Sequence, residues 1–148
     1  MEFDELITFA QAKIAPRKLS PWAESGGVAA AILTREGNVF TGVCIDTSCS
    51  MGFCAEHAAA AAMITAGEHH IAKVVAVDWQ GHPISPCGRC REFLSQLSED
   101  NLSAQVLTKA GSLPLAQLLP LDWKDGLVSA TFSRPAAMIS SVFEGSAL

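Results

Sequence analysis

Three cysteines in two short motifs constrain this chain more than any other feature. Cys54-Ala55-Glu56 lies near the middle of the 148 residues, and Pro86-Cys87-Gly88-Arg89-Cys90 follows later. Both motifs open stretches with helical character, Cys54–Ala66 and Cys87–Leu97. Two cysteines three apart in a first helical turn point the same way, so both sulfurs can reach one ion. Zinc takes thiolates in tetrahedral geometry, and Zn–S bonds of about 2.3 Å leave room for three of them plus a water. The positive dipole end of the helix that Cys54 opens favours its thiolate form. A fold that satisfies both motifs must bring two helix starts together, with one metal position open. Cys54, Cys87 and Cys90 are the candidate ligands.

Glu56 marks such a site as catalytic. Two residues after a candidate ligand, it starts the same helix and can lean toward the open position. A carboxylate there can take a proton from a metal-bound water and pass it to a substrate. A purely structural site has no use for that acid. The other two cysteines, Cys44 and Cys49, bring the total to five. An odd number in a chain with an intracellular character argues against a disulfide framework.

The rest of the pattern predicts an α/β domain. Phe3, Leu6, Ile7, Ala10 and Ile14 share one helical face over residues 3–14, with Pro16 ending the segment. Gly27–Leu33 and Val39–Ile45 form an antiparallel hairpin around the turn Arg35-Glu36-Gly37-Asn38. Gly67 closes the helix begun at Cys54, and its run Ala58–Ala62 suits a crowded position against the sheet or a neighbouring subunit. Lys73–Asp78 has the apolar run of a buried parallel strand. The helix Cys87–Leu97 turns Phe93, Leu94 and Leu97 inward. Ala104–Thr108 is another short strand, Leu115–Leu119 a third helix over the core, and Leu127–Phe132 a candidate extra strand. The order hairpin, helix, strand, helix, strand predicts a three-layer α-β-α sandwich with a mixed central sheet. A single domain is expected to span 1–148, with its core at about 20–123.

Composition narrows the partners. Hydrophobic residues make up 49% and charged residues 17%, a globular balance. The net charge is −5, and no Lys/Arg run supplies the basic stripe that nucleic-acid backbones require. Apolar stretches such as Val28–Leu33 are too short to cross a bilayer, and the acidic, amphipathic start does not resemble a secretory signal. A small-molecule substrate and a cytoplasmic location are expected, with neither nucleic acid nor membrane as partner.

The paired motifs resemble those of the cytidine deaminase superfamily in its three-cysteine form. The similarity extends from the hairpin at 28–46, including Glu36-Gly37, to Leu118-Leu119-Pro120. The small homotetrameric cytidine deaminases and blasticidin S deaminase are the branches it resembles most. The resemblance implies a cytidine deaminase-like sandwich that holds Zn2+ at Cys54, Cys87 and Cys90, with Glu56 as acid/base. It implies hydrolytic deamination of a cytosine-containing nucleoside to the uracil product plus ammonia, in a homo-oligomer, by resemblance a tetramer. It further implies that the Ala55 amide and the Ser85 carbonyl contact the pyrimidine, and that a C-terminal residue, Phe132 or Phe143, reaches a neighbouring site.

Departures from the family pattern bear on the substrate. Where those enzymes place Asn-x-Glu to grip ribose hydroxyls, this chain has Cys44-Ile45-Asp46, and a thiol is a poor hydroxyl partner. Cys44 thus reads either as a buried small residue or as a substrate contact, and Asp46 as a strand-end cap or a hydroxyl ligand. An aromatic residue expected two positions before Val28 is replaced by Gly26, with Trp22 the candidate substitute. These changes turn expectation from plain cytidine toward a modified analogue, a blasticidin-like antibiotic included. Three thiolates around a divalent ion leave a net charge of about −1, which weakens a Lewis acid. His57 stands where many relatives carry an Arg that donates to a ligand sulfur, so His57 or Arg89 is expected to donate instead. A structural zinc module closed by His57 or another His is the competing reading, and a nucleic-acid editing deaminase, disfavoured by the acidic balance and small size, is a third. His69 and His70 read as surface groups, Cys49 as a free thiol, and Trp79 and Trp123 as packing residues.

Overall fold

The computed structural model describes residues 1–125. Three helices, α1 (Phe3–Gln11), α2 (Ala55–Thr65) and α3 (Gly88–Gln96), accompany seven strands. The strands are β1 (Arg17–Ser20), β2 (Ala23–Thr34), β3 (Val39–Thr47), β4 (Ile71–Val77), β5 (Pro83–Ile84), β6 (Gln105–Thr108) and β7 (Gly111–Pro114).

β2 organises the sheet. β3 runs antiparallel along one edge of it, from Ala23↔Thr47 to Leu33↔Val39. β1 and β4 share the other edge, β1 against its first residues and β4 against Ala29–Thr34. β4 then pairs in parallel with β6 through Lys73↔Gln105 and Val74↔Val106, and β7 closes the edge antiparallel to β6. The sheet is therefore mixed: the expected parallel strand at Lys73 is parallel to β6 and antiparallel to β2.

Strand alternation divides the core between two faces. Ala29, Ala31, Leu33, Val75 and Val77 meet α1 through Leu6 and Ala10, with Phe3, Ile7 and Ile14 packed alongside. Ala30, Ile32, Val74 and Ala76 face the opposite way, against Ala59, Ala60 and Met63 of α2 and Leu94 of α3. Helices on both faces of one sheet make the three-layer sandwich, and each fully buried aliphatic side chain contributes about 1.5–3 kcal/mol.

Small residues let α2 approach closely. A Cβ on Gly42 of β3 would stand 2.3 Å from the Ala59 nitrogen and 2.6 Å from the Ala58 carbonyl carbon. The alanine run thus serves contact with the sheet, although Ala61 and Ala62 face outward. Gly26 is equally constrained, at φ +82°, with a Cβ there 2.2 Å from the Ala15 carbonyl oxygen. That crossing, joined by the Ala15 N–H to Gly26 carbonyl bond, is the physical reason no ring stands at position 26.

Several local expectations are corrected. α1 stops at Gln11, and Leu115–Leu118 is a 3-10 turn rather than an α-helix. The strands β1, β5 and β7 were not anticipated. β1 and β7 are short and carry Arg-Lys or Gly and Pro, and β5 has only two residues, so none has a readable alternation. Trp79 and Trp123 are not packed inside but 65% and 63% exposed. His70 is half-buried, its Nδ1 within 3.3 Å of Ser98 Oγ and of Asp100 Oδ2. The expected strand Leu127–Phe132 and the residues Phe132 and Phe143 lie outside the described residues. Among the described residues no helix is long and apolar enough to cross a membrane.

Candidate metal centre

Cys54 and Cys87 are the N-cap residues of α2 and α3, and Cys90 lies in the first turn of α3. Both helices pack on the same face of the sheet, which brings their starts together. Cys54 Sγ is 3.6 Å from Cys87 Sγ, Cys87 Sγ is 3.5 Å from Cys90 Sγ, and all three sulfurs lie within 4.8 Å of one another. All are free thiols. Tetrahedral zinc with bonds of about 2.3 Å separates its sulfurs by about 3.8 Å, so this donor set fits the ion in spacing and in softness.

Glu56 lies against the cluster, with Oε2 3.5 Å from Cys90 Sγ. It is only 4% exposed, and burial pushes its carboxyl above the usual carboxylate range. Burial also raises the Cys54 and Cys90 thiols. Cys87 goes the other way: burial alone would raise it, yet hydrogen bonds from the backbone and from the neighbouring thiols hold it low. His57 Nδ1 is 3.4 Å from Cys90 Sγ, and its ring stacks on Phe93 at a centroid distance of 4.2 Å. Burial, then the charge of Arg89, lowers the His57 pKa. A neutral ring protonated at Nδ1 donates to the sulfur.

A cavity of about 480 Å³ opens beside this cluster, within the usual range of small-molecule sites. Cys54, Ala55, Glu56 and Cys87 line it from the helices, while Cys90 is fully buried behind them. Cys44 and Asp46 of β3 also line it, as does Ser85 after β5. Cys44 is engaged as well as buried: its sulfur accepts the Val28 N–H at 3.3 Å and stands 3.8 Å from Asp46 Oδ2.

One of the two candidate sulfur donors and one further expectation fall away here. Arg89 lines the cavity, but its guanidinium donates to the Gly52 carbonyl at 3.4 Å and not to a sulfur. The Ile45–Phe53 bridge sets the adjoining Gly52 backbone there as an acceptor. Trp22 does not line this cavity and is 70% exposed in a neighbouring hollow, because the turn between β1 and β2 carries it past the sheet edge. Conversely, Gly27, Phe53 and Ile84 line the cavity without having been singled out. An aromatic residue immediately before Cys54 was the one available signal.

Clustered thiols at two helix starts and a buried carboxylate at the floor of a cleft define the class, a metal-assisted hydrolase. The family model for the cytidine and deoxycytidylate deaminase zinc-binding region matches residues 5–105. A cytidine deaminase from Sporosarcina psychrophila is 32% identical over 98 residues, 63% of this chain and 71% of that protein. One from Mycobacterium tuberculosis is 37% identical over 68 residues, 45% of this chain and 51% of that protein. The crystal structure of cytidine deaminase from Mycobacterium leprae superposes with a TM-score of 0.70 at 28% identity, covering 81% of this chain and 98% of that one. The chain belongs to the cytidine and deoxycytidylate deaminase family of hydrolytic enzymes.

Proposed function

We propose that this protein is a zinc-dependent deaminase of a cytosine-containing nucleoside: cytidine, deoxycytidine or a modified analogue. Cys54, Cys87 and Cys90 hold the ion, and Glu56 moves the protons. The observation that carries this reading is the buried Glu56 carboxylate 3.5 Å from the sulfur cluster, at the wall of an open cavity.

Zinc, when bound, supplies a water activated near neutral pH. Glu56 would relay both protons of that water in turn on a carboxylate oxygen, the first to the ring nitrogen and the second to the departing amine. The new C–O bond replaces the C–N bond, so water and the cytosine compound become the uracil compound and ammonia. A carboxyl raised by burial suits both directions of transfer. The first N–H groups of a helix lack intrahelical acceptors, so the Ala55 amide on α2 is free to hold the pyrimidine oxygen, with the Ser85 carbonyl taking the amino group. With its proton on Nδ1, His57, 3.4 Å from Cys90 Sγ, would donate to that sulfur and temper the charge of the three thiolates.

The Cys44 and Asp46 pair supports an analogue over plain cytidine, and a blasticidin-like antibiotic is the alternative substrate. The structural-zinc reading is disfavoured, since the mutually close donor group excludes His57. A cytoplasmic homo-oligomer, a tetramer by resemblance, completes the proposal.

Zinc-loaded protein is to be incubated with cytidine, deoxycytidine, N4- and C5-modified analogues and blasticidin S, with absorbance and ammonia release as readouts. Glu56→Gln should lower turnover by about 10²–10⁴-fold while zinc stays stoichiometric. Full activity in that variant would sink the assignment of Glu56, and inertness toward every substrate would restore the structural-zinc reading.

A further inference from the structure

Lys18, Glu24 and Asp46 form one row across three strands, because Lys18 pairs with Glu24 and Glu24 with Asp46. Directly opposed residues of antiparallel strands project to the same side, and like charges so placed are destabilising. Glu24 and Asp46 are such a pair. Among the described residues neither carboxylate takes part in an ion pair, with Lys18 or any other cation.

The row lines a hollow of about 280 Å³ together with Ser20, Trp22 and Ser48. Trp22 stands 70% exposed there, its backbone turned by a hydrogen bond from its N–H to Ser20 Oγ. Asp46 lines this hollow and the cavity of Cys54, Glu56 and Cys87 alike. The two spaces are thus neighbours through one carboxylate, which Cys44 flanks from the buried side.

The reacting end of a substrate belongs beside Glu56 and the sulfurs, so its remainder extends toward Asp46. We infer that the hollow beyond Asp46 is a subsite for an ammonium group carried on the sugar end of the substrate. The inference rests on the deaminase reading for the cytosine end. Two adjacent carboxylates and an exposed indole face are the partners such a cation takes, through charge-assisted hydrogen bonds and a cation–π contact. The same pair of carboxylates repels a phosphate, with Lys18 alone to offset them, so nucleotides are selected against.

The test is equilibrium binding to the full, zinc-loaded Glu56→Gln protein, which holds substrates without turnover. The probes are cytidine, 5′-amino-5′-deoxycytidine, 3′-amino-3′-deoxycytidine and cytidine 5′-monophosphate, measured by calorimetry at low salt. One aminonucleoside should bind about tenfold tighter than cytidine, and the monophosphate more weakly than either. Adding Glu24→Gln or Trp22→Ala, both at exposed positions, should bring the amine-to-cytidine ratio toward about one. Two aminonucleosides no tighter than cytidine would overturn the subsite, as would a preference that survives both substitutions. Turnover of the nucleoside panel by the unsubstituted protein separates the two readings: inertness toward every member defeats the deaminase assignment, while the binding ratios still report the cation. A complete lack of binding by all four probes defeats both.

Discussion

Cys90 illustrates how much chemistry one buried atom can gather. Its sulfur is fully shielded from solvent and is approached by Glu56 Oε2, His57 Nδ1 and the Cys87 thiol. Groups that hydrogen-bond a metal ligand hold its orientation and tune its charge, and their loss typically weakens metal affinity about 10–100-fold. His57→Ala should therefore lower zinc affinity by about that factor, read by competition with a chromophoric chelator. Unchanged affinity would mean that the ring only packs on Phe93. At this scale the sequence was informative wherever residue type and spacing sufficed: three thiols and a carboxylate have few other uses in that arrangement. It was uninformative for Arg89, since a long flexible side chain can reach several acceptors, and the one it takes, Gly52, comes from another segment.

Two contacts fix the elements that carry the site. The backbone of α2 crosses β3 at Gly42 with no room for a methyl group, and the start of that helix bears Cys54 and Glu56. Gly42→Ala should destabilise the protein by about 1–3 kcal/mol in denaturant unfolding and lower turnover by displacing the helix start. Behind α3, the fully buried Asn101 accepts the Ile71 N–H and donates to the carbonyls of His69 and Leu94. It ties the end of α3 to the entry of β4. Asn101→Ala leaves those backbone groups unpartnered and should cost about 2–4 kcal/mol, measured the same way. A change below about 0.5 kcal/mol would mean that water replaces the side chain fully. The longer elements were legible from sequence, α2 by its alanine run and closing Gly67 and the β2–β3 hairpin by its two apolar strands and their turn. Short pieces such as β1 and β7 were not, because a four-residue strand has no period of its own and exists only by pairing with a neighbour.

For the whole molecule, the cluster joins two helices that also meet through the stacked rings of His57 and Phe93. Metal that binds the folded state alone stabilises it, by about 4 kcal/mol when present at a thousandfold over its dissociation constant. Chelation should lower the unfolding midpoint, and zinc should restore it. A midpoint indifferent to both would detach the cluster from metal binding. Light scattering should find an oligomer, tetrameric if the resemblance extends to assembly, and a monomer at working concentration would refute that proposal. The sequence by itself determined the class of architecture and the thiol–carboxylate chemistry, because hydrophobic period and metal-ligand spacing are local properties of the chain. Only the tertiary structure decided that Glu56 is buried against Cys90 and that Cys44 leans on Asp46. The same holds for the row of Lys18, Glu24 and Asp46 beside a second hollow. Those relations depend on strand register and helix approach, which place residues far apart in sequence within a few ångströms of each other.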